Sequence, residues 1–405
     1  MAAPLQANCS ALSQAKDFHD YIDLLRQQTS FERARLIQCR AEICSASALW
    51  GRDNPDIAGL GVAIGYALCA TLSFLLALAT HLLFPPLHPV PPGSITPPLT
   101  PPDRPSKTRF QKALLRTFTT FSDTALYFTL ALQLATTVFL AQRDFGVAPD
   151  GFGAADAQIA LAVSVLGMVP LMYPVGMLPV TGGREKKMGG EKDTGDAGEG
   201  EEEEEEGRGN LRLFLFGLVV VLFFYPFLSQ GVHMWGPSRI GGGVLAGQEE
   251  WDKLRGVCLE GVRELSQAGS WVLAVVMMVA SLVVLVFTGW VMIGRLGEGG
   301  EGAGRKEGYG GGRGRRGRRG FWGDGVGWVR GVLKVRSVQW VLLAVPLVLA
   351  IPLLYFLFEL RAIQEELTVS LGGVYTGNDW GFGQVISILM FAPVLVEFVY
   401  SLMYL

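Results

Sequence analysis

The sequence predicts an all-α, polytopic transmembrane helix bundle with a small helical cap outside the membrane. Three observations carry that prediction. Half of the residues are apolar and only 18% are charged, whereas soluble domains carry about 25% charged residues. The mean hydropathy is positive, +0.33. Seven apolar runs each approach the roughly 20 residues that a helix needs to cross a hydrocarbon core of about 30 Å.

The seven runs extend from Ile57 to Phe84, Thr119 to Ala141, Ala154 to Val180, Leu211 to Trp235, Ser270 to Ile293, Ser337 to Phe358 and Gly381 to Tyr404. The fifth, WVLAVVMMVASLVVLVFTGWVMI, contains neither a charge nor a proline. The third is the weakest, because Pro170, Pro174 and Pro179 interrupt it. Neighbouring helices can satisfy the backbone groups a proline frees, so a full crossing and a re-entrant segment both stand as readings. Gly61 and Gly65 form a GxxxG close-packing face on the first span. Pro346, Pro352 and Pro393 place kinks in the last two.

Residues 1–56 are expected to form the cap. Leu12, Phe18, Ile22, Leu25, Phe31, Leu36, Ile37, Ile43 and Leu49 are spaced for one or two amphipathic helices. About 45 residues make a small core, which favours a structural cap over a ligand-gripping domain. Asn54, Pro55 and Asp56 then suit a helix start: Asn as N-cap, Pro in the first turn, a carboxylate at the positive end. The first 50 residues hold no continuous apolar core, so no cleavable signal peptide is expected.

Seven spans put the termini on opposite sides. The loops after spans one, three and five carry 21 Lys and Arg, against 12 for the N-terminal tail and the other loops. The basic set is expected to be cytoplasmic, with the N-terminus outside or in the lumen and the C-terminus inside. Cys9, Cys39, Cys44 and Cys258 all fall on the expected outer side, where two disulfides with three possible connectivities can form. Asn8, in Asn8-Cys9-Ser10, is a glycosylation acceptor on that side.

The three cytoplasmic loops, 85–118, 181–210 and 294–336, are expected to be largely disordered. The first is proline-rich; the second carries 11 acidic residues, including Glu201 to Glu206; the third carries 11 basic residues among many glycines. Loops 85–118 and 181–210 are candidate contacts for cytosolic proteins, and the Arg-rich stretch 305–336 for anionic lipid. No folded RNA module accompanies the Arg-Gly stretch, which disfavours a nucleic-acid partner. Phe321, Trp322, Trp328, Val332, Leu333 and Trp340, with Arg330, Lys334 and Arg336, suggest an interfacial segment before span six.

Among candidate functional residues, Glu397 stands first, because an ionisable group inside a span is costly and ordinarily faces the bundle interior. The competing readings are a helix-to-helix hydrogen bond and a place near the inner headgroups, since few residues follow it. Asp123, near the cytoplasmic start of span two, reads as a helix-capping carboxylate. Gln384, Gln133 and Gln158 are polar residues that a transport path would use. His81 and His233 fall on opposite sides, four histidines in all are too few for an intramembrane zinc site, and no phosphate loop or serine-histidine spacing is present. No Asp-Arg-Tyr ends span three, no NPxxY lies in span seven, and no lysine there could hold a chromophore. An enzyme, a metal and a cofactor are accordingly not expected.

The stretches CRAEICSASALWGRDNPDIAGLGVAIGY (39–66) and NDWGFGQVISILMFAPVLVEFVYS (378–401) resemble a large group of uncharacterised multi-span membrane proteins of filamentous fungi. The resemblance implies residence in a fungal membrane. It gives weight to Asn54, Pro55, Asp56, Trp380, Gln384, Pro393 and Glu397, and implies no established activity. Two functions follow as expectations: a receptor-like or scaffolding seven-span protein, or a transporter or channel using Glu397 and the intramembrane glutamines. The sequence shows no internal repeat of the kind many carriers have, which tilts the expectation to the first.

Overall fold

The computed structural model describes residues 9–14, 18–44, 59–83, 109–142, 154–177, 199–235, 248–258, 260–262, 267–303, 336–370, 372 and 374–404. Seven helices in these residues are long and apolar enough to cross a membrane. The chain is therefore an all-α, multi-pass membrane protein. The first, second, fourth, fifth and sixth spans are the continuous helices Leu60–Leu83, Arg109–Gln142, Glu199–Trp235, Gln267–Ala303 and Arg336–Ser370. The third is built from Ala154–Met168, a 3₁₀ turn Val169–Leu171 and Met172–Met177. The seventh is broken into Phe382–Leu389 and Ala392–Tyr404.

Residues from all seven spans meet in one core, which contains Tyr66, Phe118, Val163, Phe223, Ala280, Leu353 and Phe391. The third span is its axis: 94% of its apolar window is enclosed, against 22–44% for the other six. Its sequence explains this. The segment is apolar on every side and has no polar stripe to turn outward, the pattern of a helix buried all round. Ala157, Ala160, Ala162 and Ser164 are all buried, and such small residues let neighbouring backbones come close.

The cap stands apart as a second core. Its 3₁₀ helix Cys9–Gln14 and helices Phe18–Thr29, Arg33–Gln38 and Arg40–Cys44 are joined by Gln248–Cys258 from the loop after span four. Tyr21, Ile22, Leu25, Leu36 and Ile43 bury themselves against Leu254 and Val257. Disulfides Cys9–Cys39 and Cys44–Cys258 fix the connectivity that the sequence left open. The predicted cap of residues 1–56 thus gains a partner from far along the chain. The second disulfide also bears on the third span, because residues 44 and 258 lie on one face only if an even number of crossings separates them. A re-entrant third span would leave three, so the disulfide favours the full crossing.

Several predicted boundaries need correction. The second helix begins at Arg109, ten residues before the apolar run, so the end of loop 85–118 is helical. An amphipathic pattern extends it: Ala113, Leu114 and Phe118 are buried while Arg109, Lys112 and Arg116 face out. The fourth helix starts at Glu199, inside the acidic part of loop 181–210. Glutamate is a good helix former, and its charge suits a helix N-terminus. The fifth runs on to Ala303, and the sixth past Phe358 to Ser370. Asn8, Asn54, Pro55, Asp56, residues 85–108 and 305–335, with the aromatic residues Phe321 to Leu333, lie outside the described residues.

Candidate functional site

The polar residues singled out in the sequence form two groups, clamps within the bundle and ion pairs along one helix. The first clamp joins the first and seventh spans. Gly61 and Gly65 bring the first helix so close that a Cβ on Gly61 would stand 2.6 Å from the Gln384 Cβ, and one on Gly65 3.1 Å from the Ser387 carbonyl oxygen. At that separation the Gln384 side chain reaches backbone on both sides. Its Oε1 accepts from the Gly61 N–H at 2.9 Å, and its Nε2 donates to the Asp379 carbonyl at 2.6 Å. The Ser387 hydroxyl donates to the Gly61 carbonyl at 3.0 Å. The glycine pair and Gln384 are thus one device. Trp380, just before it in the chain, is 58% exposed and takes no part in the core.

The second clamp joins the second and third spans. Gln133 Nε2 donates to the Ser164 carbonyl and its Oε1 accepts from the Ser164 hydroxyl, both at 2.7 Å. One turn along, the Thr129 hydroxyl donates to the Gly167 carbonyl at 2.9 Å. Gln158 faces outward and joins neither clamp.

Prolines in these spans free carbonyls, and neighbouring side chains take them up. Pro174 has no N–H for the Pro170 carbonyl one turn back, which instead accepts from the Ser73 hydroxyl at 2.7 Å. Pro226 similarly frees the Leu222 carbonyl, to which the Thr137 hydroxyl donates at 3.5 Å. The Tyr173 hydroxyl reaches the Leu343 carbonyl of span six at 2.7 Å. The seventh span breaks just before Pro393, and Phe391 fills the break, its ring 6.3 Å from that of Phe121 and 5.8 Å from that of Phe128.

The charged candidates sit on the flanks of the second helix. Glu397 lies 3.8 Å from the Arg116 Nε and accepts from the Ser401 hydroxyl at 3.0 Å. Its side chain is 29% exposed, so it lies at the edge of the bundle and not in its interior. Asp123 is not a helix cap, since the helix starts well before it at Arg109. It receives the Arg212 guanidinium through two hydrogen bonds, Nε to Oδ1 and Nη2 to Oδ2, the latter at 2.7 Å. Such a two-point bond fixes the orientation of the pair as well as its separation.

Two polar groups escaped the sequence reading. Arg361 counted there only as a loop cation, yet it is 6% exposed, and it donates to the Gly377 carbonyl and Asn378 Oδ1, each at 3.3 Å. Gln230 is buried and accepts from the Ser281 hydroxyl at 2.9 Å, linking spans four and five. The Gln230 signal was available, as an amide inside an apolar run. The Arg361 signal was not, because it depends on the sixth helix continuing past its apolar stretch.

Among the described residues no group of three His, Cys, Asp or Glu is placed to hold a metal. His81, at the end of the first span, instead lies edge-on to Trp340 with centroids 4.6 Å apart. No family model, no curated protein and no solved structure matches the chain. The arrangement can do one thing plainly: it fastens helices to one another through polar groups that lipid cannot satisfy.

Proposed function

We propose that this is a receptor-like or scaffolding seven-span membrane protein, with its disulfide-closed cap outside the cell or in the lumen and its C-terminus in the cytoplasm. One observation carries the reading: Gln384 and Gln133, the polar residues a conduction path would use, are committed to bonds with a neighbouring helix, and the Gln384 Nε2 to the Asp379 carbonyl in its own span. Glu397 is likewise held by Arg116 and Ser401. The orientation is supported by the paired cysteines, which belong in an oxidising compartment, and by the basic loops opposite them. The segments 85–108 and 181–198 would offer contacts to cytosolic proteins, and 305–335 to anionic lipid. Kinship with the fungal multi-span group rests on the two end motifs, of which Gln384 and Glu397 have polar partners here.

Proximity labelling with the full chain should recover cytosolic proteins that are lost when residues 85–108 and 181–198 are removed, with membrane insertion unchanged. Proton or ion flux in reconstituted vesicles, abolished by Glu397→Gln without loss of folding, would overturn the reading in favour of a carrier. A glycan at Asn8 and a cytosol-accessible tag after Leu405 are expected for the orientation.

A further inference from the structure

The first two turns of the second span carry a cationic face of which the proposed function uses only Arg116. Arg109, Lys112 and Arg116 are exposed, at a spacing that puts all three on one side of the helix. Leu114 and Phe118 point the other way into the core. No acidic residue occurs from Arg109 to Ser122. Among the described residues the one carboxylate in ion-pair range of this face is Glu397, at 3.8 Å from Arg116, and that arginine side chain remains 59% exposed. The stripe therefore keeps a clear positive excess.

Its depth is fixed by a neighbour. Gln111 Nε2 donates to the carbonyl of Leu83, the last residue of the first span, at 3.0 Å. Arg109 and Lys112 thus sit at the level where the first span ends, the level of lipid headgroups. Long basic side chains at that depth extend toward the interface while their stems stay against apolar surface. Beside the stripe lies such a surface. Phe110, 42% exposed, meets Phe398 of the last span at 6.3 Å. On the flank of that span that carries Glu397, Val396 and Tyr400 are 66% and 51% exposed. Cations at headgroup level over an apolar strip match the two ends of one molecule.

We propose that Arg109, Lys112 and Arg116, with the adjoining flank of the last span, form a binding site for an anionic phospholipid, its headgroup on the cations and its acyl chains running from Tyr400 past Val396 toward the bilayer centre. Glu397 acts as a built-in competitor: by pairing with Arg116 it holds back one cation from the headgroup. None of its residues belongs to the Arg-rich stretch 305–335, and its geometry does not depend on which side of the membrane is cytoplasmic.

The test uses the full chain reconstituted in phosphatidylcholine vesicles, with spin-labelled phosphatidylserine and spin-labelled phosphatidylcholine as probes. The wild-type protein should hold the serine lipid preferentially, and the preference should fade as salt is raised. Arg109→Gln and Lys112→Gln should each reduce it, by about fivefold, the equivalent of about 1 kcal/mol per surface charge. Glu397→Gln should raise it, an outcome that a purely structural role for the pair does not predict. Neutralising Arg313, Arg315 and Arg316 should leave this preference in place. Thermal melts in detergent check that each variant is folded. The proposal is overturned if the Arg109→Gln, Lys112→Gln double variant keeps the full preference, if Glu397→Gln lowers it, or if only the change at residues 313–316 removes it.

Discussion

The cap and the bundle are held together by different forces, and their solvents explain the difference. In the cap, water surrounds a core of about a dozen buried side chains, too little to be secure alone. Two disulfides and a few surface ion pairs make up the deficit. In the bundle, apolar contact gains little over contact with lipid, so association depends on close packing and on hydrogen bonds that lipid cannot supply. That is where Gly61, Gly65, Gln384, Gln133, Ser164 and Ser73 stand. Covalent staples thus serve the wet region and amide clamps the dry one.

The largest expected effect tests this division from the wet side. Replacing Cys44 and Cys258 by serine detaches the 248–258 helix from the N-terminal helices, and a native disulfide in a small domain contributes about 2–5 kcal/mol. The cap amides should lose hydrogen-exchange protection while those of residues 157–174 keep theirs. If both regions loosened together, the two would be one cooperative unit and the comparison would fail.

From the dry side, Gly61→Leu drives a side chain into the space that the Gln384 Cβ occupies 2.6 Å from the ideal position. Overpacking of this kind costs about 1–3 kcal/mol. The thermal midpoint in detergent should fall, cysteine cross-linking between the first and seventh spans should weaken, and the cap disulfides should remain intact. A smaller effect is expected for the clamp between Gln133 and Ser164. A double-mutant cycle with Gln133→Leu and Ser164→Ala should show a coupling of about 0.6 kcal/mol, the usual size for bonds of this kind in membranes, and no dependence on salt. Ser164→Ala leaves the backbone carbonyl in place, so the cycle isolates the hydroxyl bond.

How far the sequence foretold all this follows the same division. Lipid imposes a simple demand, long apolar runs, so seven spans were legible and their ends were not. Helices such as Arg109–Gln142 and Arg336–Ser370 run beyond the hydrocarbon, where hydropathy no longer reports on them. The third span was legible but looked the weakest, because prolines count against a helix in isolation. In place, the Ser73 hydroxyl takes the carbonyl that Pro174 frees. Glu397 was legible as unusual, but its Arg116 partner was not, since that arginine belongs to a segment expected to be disordered. The four cysteines were found, whereas the helix that Cys258 brings to the cap was not, because residues 44 and 258 approach each other only once four spans have folded between them.

The smallest expected effect lies in the ion pair across the cap. Arg26 donates to Glu250 through Nε at 3.1 Å and Nη2 at 2.9 Å, and the bond to Glu250 raises the guanidinium pKa above its ordinary value. Both side chains still touch water, Arg26 at 42% exposure, so solvent screens the attraction. An exposed pair of this kind contributes about 0.2–1 kcal/mol. A cycle of Arg26→Gln and Glu250→Gln, read by cap exchange rates with the disulfides intact, should give a coupling at the lower end of that range and lose it at about 1 M salt, where the screening length falls to about 3 Å. A coupling that survived high salt would mean the pair is effectively buried. The cap would then share the dry chemistry of the bundle, and the contrast between the two regions would narrow to their disulfides.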